Sequence, residues 1–272
     1  MKKSSENSGK PVGFFDSGVG GLTVLQAFRE INPGLSFHYF ADTAHCPYGD
    51  RPLEEVRDFA LNAVKFLQDK GCKKIIMACN ISSSVALQAA RDRFSDLEVH
   101  GLVNDSLAVQ IDDISRRERV GVLATSGTVK SNSYHDILTA RGLEVIQQAC
   151  SPLVPLIESG HLEGPLVRQT LQPLLAPLLD FEVDTIVLGC THYPFLKPVI
   201  EDLTGGIEIV DPGRILAERL ANSQQSPAQE SVNCYWASGE TESLVHIFET
   251  VYNRAIPSLN TINPGLISPA GS

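Results

Sequence analysis

Two cysteines stand where apolar runs break off into polar residues: Cys79 in "IIMACNISS" and Cys190 in "IVLGCTHYP", the second followed at once by Thr191 and His192. Each run has the composition of a buried strand, and each is followed by helix-forming sequence. Both thiols are therefore expected near helix N-termini, where backbone N–H groups and the helix dipole favour negative charge. An unperturbed thiol, with a pKa of roughly 8.5, is mostly protonated at neutral pH, whereas one with a lowered pKa is a usable base. A lone buried cysteine is more often just a small hydrophobe. That plainer reading is kept for Cys46, Cys72, Cys150 and Cys234, which have no counterpart elsewhere in the chain.

Cys79 and Cys190 are each other's counterpart. "VGFFDSGVGG" begins at Val12 and "VGVLATSGTV" at Val120, an offset of 108, while Cys79 to Cys190 is an offset of 111. Two independent pairs sharing nearly one offset point to a duplicated unit, so that two similar domains turn their polar strand ends toward one cleft. The loops at those ends, "FFDSGVGG", "DTAHCPYG", "CNISSS", "LATSGTV" and "CTHYP", are rich in hydroxyl, amide and glycine groups. Such groups hold a small carboxylate without a dedicated arginine. Read singly, each loop is equally well a helix cap or a turn.

The elements that must position these residues alternate as strand and helix. "VGFF", "LTVLQAFREI", "SFHYFA", a helical stretch from about Pro52 to Lys70, "KKIIMA" and "SVALQAARDRF" set the order, and "VHGLV", "RVGVLA", "DTIVLG" and "IEIVD" continue it. This βα alternation predicts an α/β fold of two pseudo-symmetric domains with mainly parallel sheets and the active site in the cleft between them. The expected division is 11–100 plus 211–256 for the first domain and 101–210 for the second. Residues 1–10 and 257–272 are expected as flexible tails.

Composition narrows the function classes. Against 32 acidic residues there are only 22 basic ones, a net charge of −10, and no Lys/Arg block, so the electrostatic footprint of a nucleic-acid binder is missing. With 43% hydrophobic residues the chain contains no apolar run near the ~18 residues of a membrane span. The N-terminal "MKKSSENSGK" leads into no apolar segment, so a cytoplasmic address is expected. "GVGGLT" has Thr23 where the dinucleotide fingerprint requires Gly or Ala, and the cysteines show no standard zinc spacing.

The blocks "FFDSGVGGLTVL", "DTAHCPYGDR", "ACN", "LATSGTVKSNSY", "VPLIESG" and "VLGCTHYPFL", in that order, resemble the signature set of the bacterial glutamate racemases within the aspartate/glutamate racemase family. The resemblance implies a two-domain pseudo-symmetric fold, no cofactor and no metal. It further implies a homodimer that interconverts L- and D-glutamate and supplies D-glutamate for peptidoglycan. By resemblance Cys79 deprotonates D-glutamate and Cys190 L-glutamate, with Asp16 as the auxiliary group beside Cys79 and His192, with Glu158, serving Cys190. The substrate-binding positions it implies are Asp16, Ser17, Pro47, Tyr48, Gly49, Asn80, Thr125, Thr128, Thr191 and His192. Two bases are what racemisation requires, because the α-hydrogen leaves one face of the carbon and a proton returns to the other.

One position departs from the family pattern "ACNTAS": Ile81 follows Asn80 and offers no hydroxyl. A substrate group left unpaired there would cost ~1–3 kcal/mol. Racemisation of aspartate or another acidic amino acid is the rival reading within the family, and a non-catalytic amino-acid-binding or regulatory protein is the rival outside it. Cys46, so close to the expected site, is expected to be an oxidation liability.

Overall fold

Runs such as "VGFF" and "TIVLG" have no polar face, so each strand needs cover on both sides. In the computed structural model, which describes residues 10–221, 232–252 and 255–266, they are the inner strands of two sheets. Along the chain, β1 (Val12–Asp16), α1 (Gly21–Ile31), β2 (Phe37–Ala41), α2 (Leu53–Asp69), β3 (Lys74–Met77), α3 (Asn80–Arg93) and β4 (Glu98–Gly101) build the first unit. The helix α4 (Asp105–Ile114) leads to the second. That unit comprises β5 (Arg119–Ala124), α5 (Ser126–Lys130), α6 (Ser133–Thr139), β6 (Glu144–Ala149), α7 (Leu153–Glu158), α8 (Pro165–Asp180), β7 (Thr185–Gly189), α9 (Lys197–Thr204) and β8 (Glu208–Val210). The chain ends with α10 (Pro212–Ala221), β9 (Asn233–Ala237), α11 (Glu242–Tyr252) and β10 (Leu259–Thr261).

The first sheet runs β10-β9-β2-β1-β3-β4 and the second β6-β5-β7-β8. Every strand pair among the described residues is parallel. The order β2-β1-β3-β4 recurs as β6-β5-β7-β8, so β1 corresponds to β5 and β3 to β7. The loops after those four strands carry Ser17, Cys79, Thr125 and Cys190, which are thereby placed at equivalent points of two equivalent sheets.

Strand alternation sends neighbouring residues to different cores. Phe14 joins the largest apolar cluster while Phe15 joins the one under α2 and α3; on β7, Leu188 joins the largest cluster and Val187 the one under α4 and α6. That largest cluster takes residues from both units, among them Phe14 and Leu22 of the first and Leu171 and Leu188 of the second. The two units therefore share apolar packing. Helix α10 packs chiefly on α1 and also reaches α4 and β7.

The tail needs a correction. The stretch from 257 onward, expected as loose chain, contains β10, paired in parallel with β9 through Leu259↔Tyr235 to Thr261↔Ala237. Ile262 donates its N–H to the Ala237 carbonyl at 2.9 Å and packs against the cluster under α2. Backbone pairing to an exposed sheet edge needs no hydrophobic period, so the Pro/Gly/Ser composition concealed it. Residues 1–9 and 267–272 of the expected tails lie outside the described residues. No helix among the described residues is long and apolar enough to cross a membrane.

Candidate active site

The two cysteine loops face one cavity of about 390 Å³. β3 delivers Cys79 as the N-cap of α3, and β7 delivers Cys190 ahead of a 3-10 turn at Tyr193–Leu196. Both thiols thus lie near helix N-termini as expected, Cys79 at that of an α-helix and Cys190 two residues before the N-cap of a 3-10 helix. At the second, Pro194 stands in the first turn and the regular helix α9 starts only at Lys197.

Ser17, Pro47, Tyr48, Gly49, Asn80, Thr125, Thr128, Glu158, Thr191 and His192 line the same cavity as both cysteines. Asp16 does not; it lies fully buried behind the wall. Its Oδ1 accepts the Gly18 N–H at 2.8 Å and its Oδ2 accepts the Thr191 hydroxyl at 3.2 Å, so it ties the end of β1 to the Cys190 loop. Burial raises its pKa, against the pull of the His192 charge, the Gly18 and Gly21 amides and the Thr191 hydroxyl.

The two thiols sit in different electrostatic settings. Burial, reinforced by the charge on Asp16, pushes the Cys79 thiol up to about 12, against the lowering pull of Ser82 and Ser17. Burial and the Asp16 charge thus work against the expected helix-stabilised thiolate: a helix N-terminus contributes only ~0.3–1 kcal/mol in ordinary settings, less than the cost of a buried charge beside a carboxylate. Cys190 Sγ is 3.7 Å from His192 Nδ1, whose other nitrogen, Nε2, meets Glu158 Oε1 at 3.0 Å. Burial works against a charged imidazole here, but hydrogen bonds and charge from Cys190 and Glu158 outweigh it and raise His192 to about 10. His192 therefore carries a proton at neutral pH, poised between a sulfur and a carboxylate.

Several residues that hold the cavity in shape have no sequence signal of their own. Tyr134, fully buried on α6, donates its hydroxyl to Asn80 Oδ1 at 2.5 Å, across the two units. With its oxygen so engaged, the Asn80 amide turns its N–H donors the other way. Tyr48 donates to Asp42 Oδ2 at 2.5 Å, and Asp42 also accepts from Ser238 at 2.6 Å, which anchors the Pro47–Gly49 wall to the end of β9. Thr23 donates to the Thr191 carbonyl at 3.0 Å. Apart from Tyr48 and Asp42, these partners lie far apart in sequence, so local patterning could not have paired them.

The glycines of "GVGG" have a steric purpose. Gly20 has ordinary helical dihedrals, but a Cβ there would come within 2.4 Å of Thr191 Oγ1 and 2.6 Å of His192 Nδ1. Gly127 donates its N–H to the Gly49 carbonyl at 2.7 Å, and a Cβ on it would strike Ile81 Cδ1 at 2.3 Å. Ile81 thus lines the cavity and also packs against the second unit. Cys46, read from sequence as a small hydrophobe close to the expected site and open to oxidation there, is a third thiol on the cavity wall, 3.9 Å from Glu158 Oε1. Burial, with the charge of Glu158, raises its pKa well above the usual thiol range. Among the described residues no group of three or more His, Cys, Asp or Glu side chains is placed to hold a metal ion.

Comparison with known proteins places these features in a family context. The Asp/Glu/Hydantoin racemase family model matches residues 23–220. The glutamate racemase of Desulforudis audaxviator (strain MP104C) is 44% identical over 204 residues, 74% of this chain and 74% of its own length. The crystal structure of glutamate racemase isoform RacE1 from Bacillus anthracis superposes with a TM-score of 0.85 at 31% identity, over 93% of this chain and 97% of that one. The glutamate racemase of Francisella tularensis subsp. tularensis SCHU S4 in complex with D-glutamate gives a TM-score of 0.85 at 26% identity, over 94% and 98%.

Proposed function

The chain belongs to the Asp/Glu/Hydantoin racemase family, and from that premise we propose that it interconverts L- and D-glutamate through two thiols acting on opposite faces of the α-carbon, with no cofactor. The observation that carries this reading is the placement of Cys79 and Cys190 at equivalent strand ends of two equivalent sheets, both lining one cavity. In one direction the Cys190 sulfur takes the α-proton of L-glutamate and the Cys79 thiol donates its proton to the opposite face, giving D-glutamate. The reverse direction exchanges the roles. His192, protonated and 3.7 Å from the Cys190 sulfur, is the proton-handling partner on that side, and Glu158 holds its ring. Asp16 is the buried group whose charge Cys79 feels, and it acts on that side.

The hydroxyls of Ser17, Thr125, Thr128 and Thr191, the Asn80 amide and the Pro47–Gly49 wall bind the carboxylates and the amino group. Their preorganised donors offset the charge that develops as the α-proton leaves. The product supplies D-glutamate for peptidoglycan precursors, in the cytoplasm, from a homodimer.

Incubation of L- and D-glutamate and L- and D-aspartate in deuterated water, followed by NMR, tests the reading with wild type, Cys79→Ala and Cys190→Ala. Wild type is expected to exchange and invert glutamate, and inversion should be lost in both variants. Aspartate exchanged with glutamate inert would move the substrate to aspartate and the cause to Ile81. Binding without exchange of any of the four would replace the enzyme by an amino-acid-binding protein.

A further inference from the structure

One hydroxyl at the site is left without a use. Ser82 is fully buried on α3, and its Oγ has no hydrogen-bond partner. Such an orphan costs ~1–3 kcal/mol in a native core. Its location supplies the reason. Cys79 is the N-cap of α3, so Ser82 occupies the third helical position, from which a side chain reaches back toward the N-cap residue. Its hydroxyl and its backbone N–H both favour charge on the Cys79 sulfur, although the hydroxyl does not meet the thiol with hydrogen-bond geometry.

A neutral thiol is a weak acceptor and a thiolate a strong one. Resting on the reading of Cys79 as one of the two bases, we infer that Ser82 is the donor reserved for the Cys79 thiolate: its Oγ–H stays unpaired while Cys79 is protonated and closes onto the sulfur when the charge forms. When the α-proton of D-glutamate is due to pass to Cys79, the sulfur must first be anionic in a buried place. When Cys79 gives its proton to the carbanion, the S–H electron pair stays on sulfur and the same charge appears. The donor thus acts in both directions, and it works selectively on the charged form rather than on the resting site.

The other titratable groups that face Cys79 are Asp16 at the end of β1, Tyr39 on β2, and Cys46 and Tyr48 on the loop after β2. Asp16 accepts rather than donates, Tyr39 and Tyr48 already donate their hydroxyls to the Gly18 carbonyl and to Asp42, and the Cys46 thiol points to Glu158, so none of them takes the donor's part. Ser17, whose hydroxyl is 3.8 Å from the sulfur, is the remaining hydroxyl and belongs to the substrate wall.

The test compares wild type, Ser82→Ala and Ser84→Ala, the last removing another buried, unpartnered hydroxyl of the same helix, at its fifth position rather than the third. The pH dependence of iodoacetamide alkylation is followed at the Cys79 and Cys190 peptides by mass spectrometry, a readout independent of turnover. For Ser82→Ala the Cys79 profile is expected to move up by about one pH unit, so that alkylation below the inflection falls about tenfold. Cys190 should be unmoved and Ser84→Ala should track wild type. Because enantiomers have equal free energy, kcat/KM of Ser82→Ala must fall by one common factor for L- and D-glutamate. Its melting temperature should be unchanged or higher, since a methyl replaces an unsatisfied hydroxyl. A Cys79 profile in Ser82→Ala that coincides with wild type, or an equal shift in Ser84→Ala, overturns the inference. Racemisation that survives Cys79→Ala would instead overturn the two-thiol reading on which it rests.

Discussion

His192 shows how a single residue acquires its role from two neighbours. Alone in "CTHYP" it is an imidazole that ionises in the ordinary range, but between Cys190 Sγ and Glu158 Oε1 it is held protonated up to about 10. A folded-state pKa above the unfolded value means that the native protein holds the proton longer. The associated stability is complete below about pH 6.5 and is lost as pH rises toward 10. The melting temperature is therefore expected to fall across that window, and His192→Gln should flatten the slope while lowering racemisation; an unchanged slope would remove His192 as its source. The type and spacing of Cys79, Cys190 and His192 were legible because strand ends and repeats are local patterns. The protonation states were not, because burial and facing charges belong to no single stretch.

At the scale of elements, the site depends on contacts between the two sheets. Tyr134 on α6 holds the Asn80 oxygen on α3, so Tyr134→Phe leaves that oxygen unpaired and frees the amide to rotate. KM for glutamate is expected to rise about tenfold, from ~1–3 kcal/mol of lost support, with kcat less affected. An unaltered KM would show that Asn80 does not need the tether. Gly20 at the start of α1 lets the "CTHYP" loop approach, and its backbone would accept alanine; only Thr191 and His192 forbid it. Gly20→Ala should cost about a hundredfold in kcat/KM, the scale of a 1 Å misplacement, with circular dichroism unchanged. Normal activity in that variant would show that the loop can yield. The sequence marked "GVGG" as a strand-to-helix turn, but the closeness of a loop 171 residues away, from Gly20 to Thr191, is a tertiary fact.

For the whole molecule, the first sheet takes strands from early and late in the chain, and β10 is one of its two edge strands. Truncation after Tyr252 removes β10 and bares the edge of β9, so the shortened chain is expected to melt several degrees lower and to aggregate more readily. A truncated protein as stable as the full chain would make β10 dispensable. The net charge of −10 opposes an anionic ligand, so on the proposed reading the substrate's carboxylates are met inside the cavity by hydroxyls and amides. Activity should survive dialysis against a chelator, as thiol chemistry without a metal requires; loss restored by added metal would overturn that.

The sequence by itself determined the α/β class, the duplication and the two thiols. Hydrophobic period, strand-helix alternation and a repeat offset are written along the chain, and chemistry at a strand end follows from where an apolar run stops. Only the tertiary structure decided that Asp16 lies behind the cavity wall, that the Cys46 thiol faces Glu158 within it, that burial and the Asp16 charge oppose a Cys79 thiolate, and that residues 259–261 extend a sheet. Each depends on desolvation, facing charge or edge pairing between segments distant in sequence, and those energies exist only once the chain has folded.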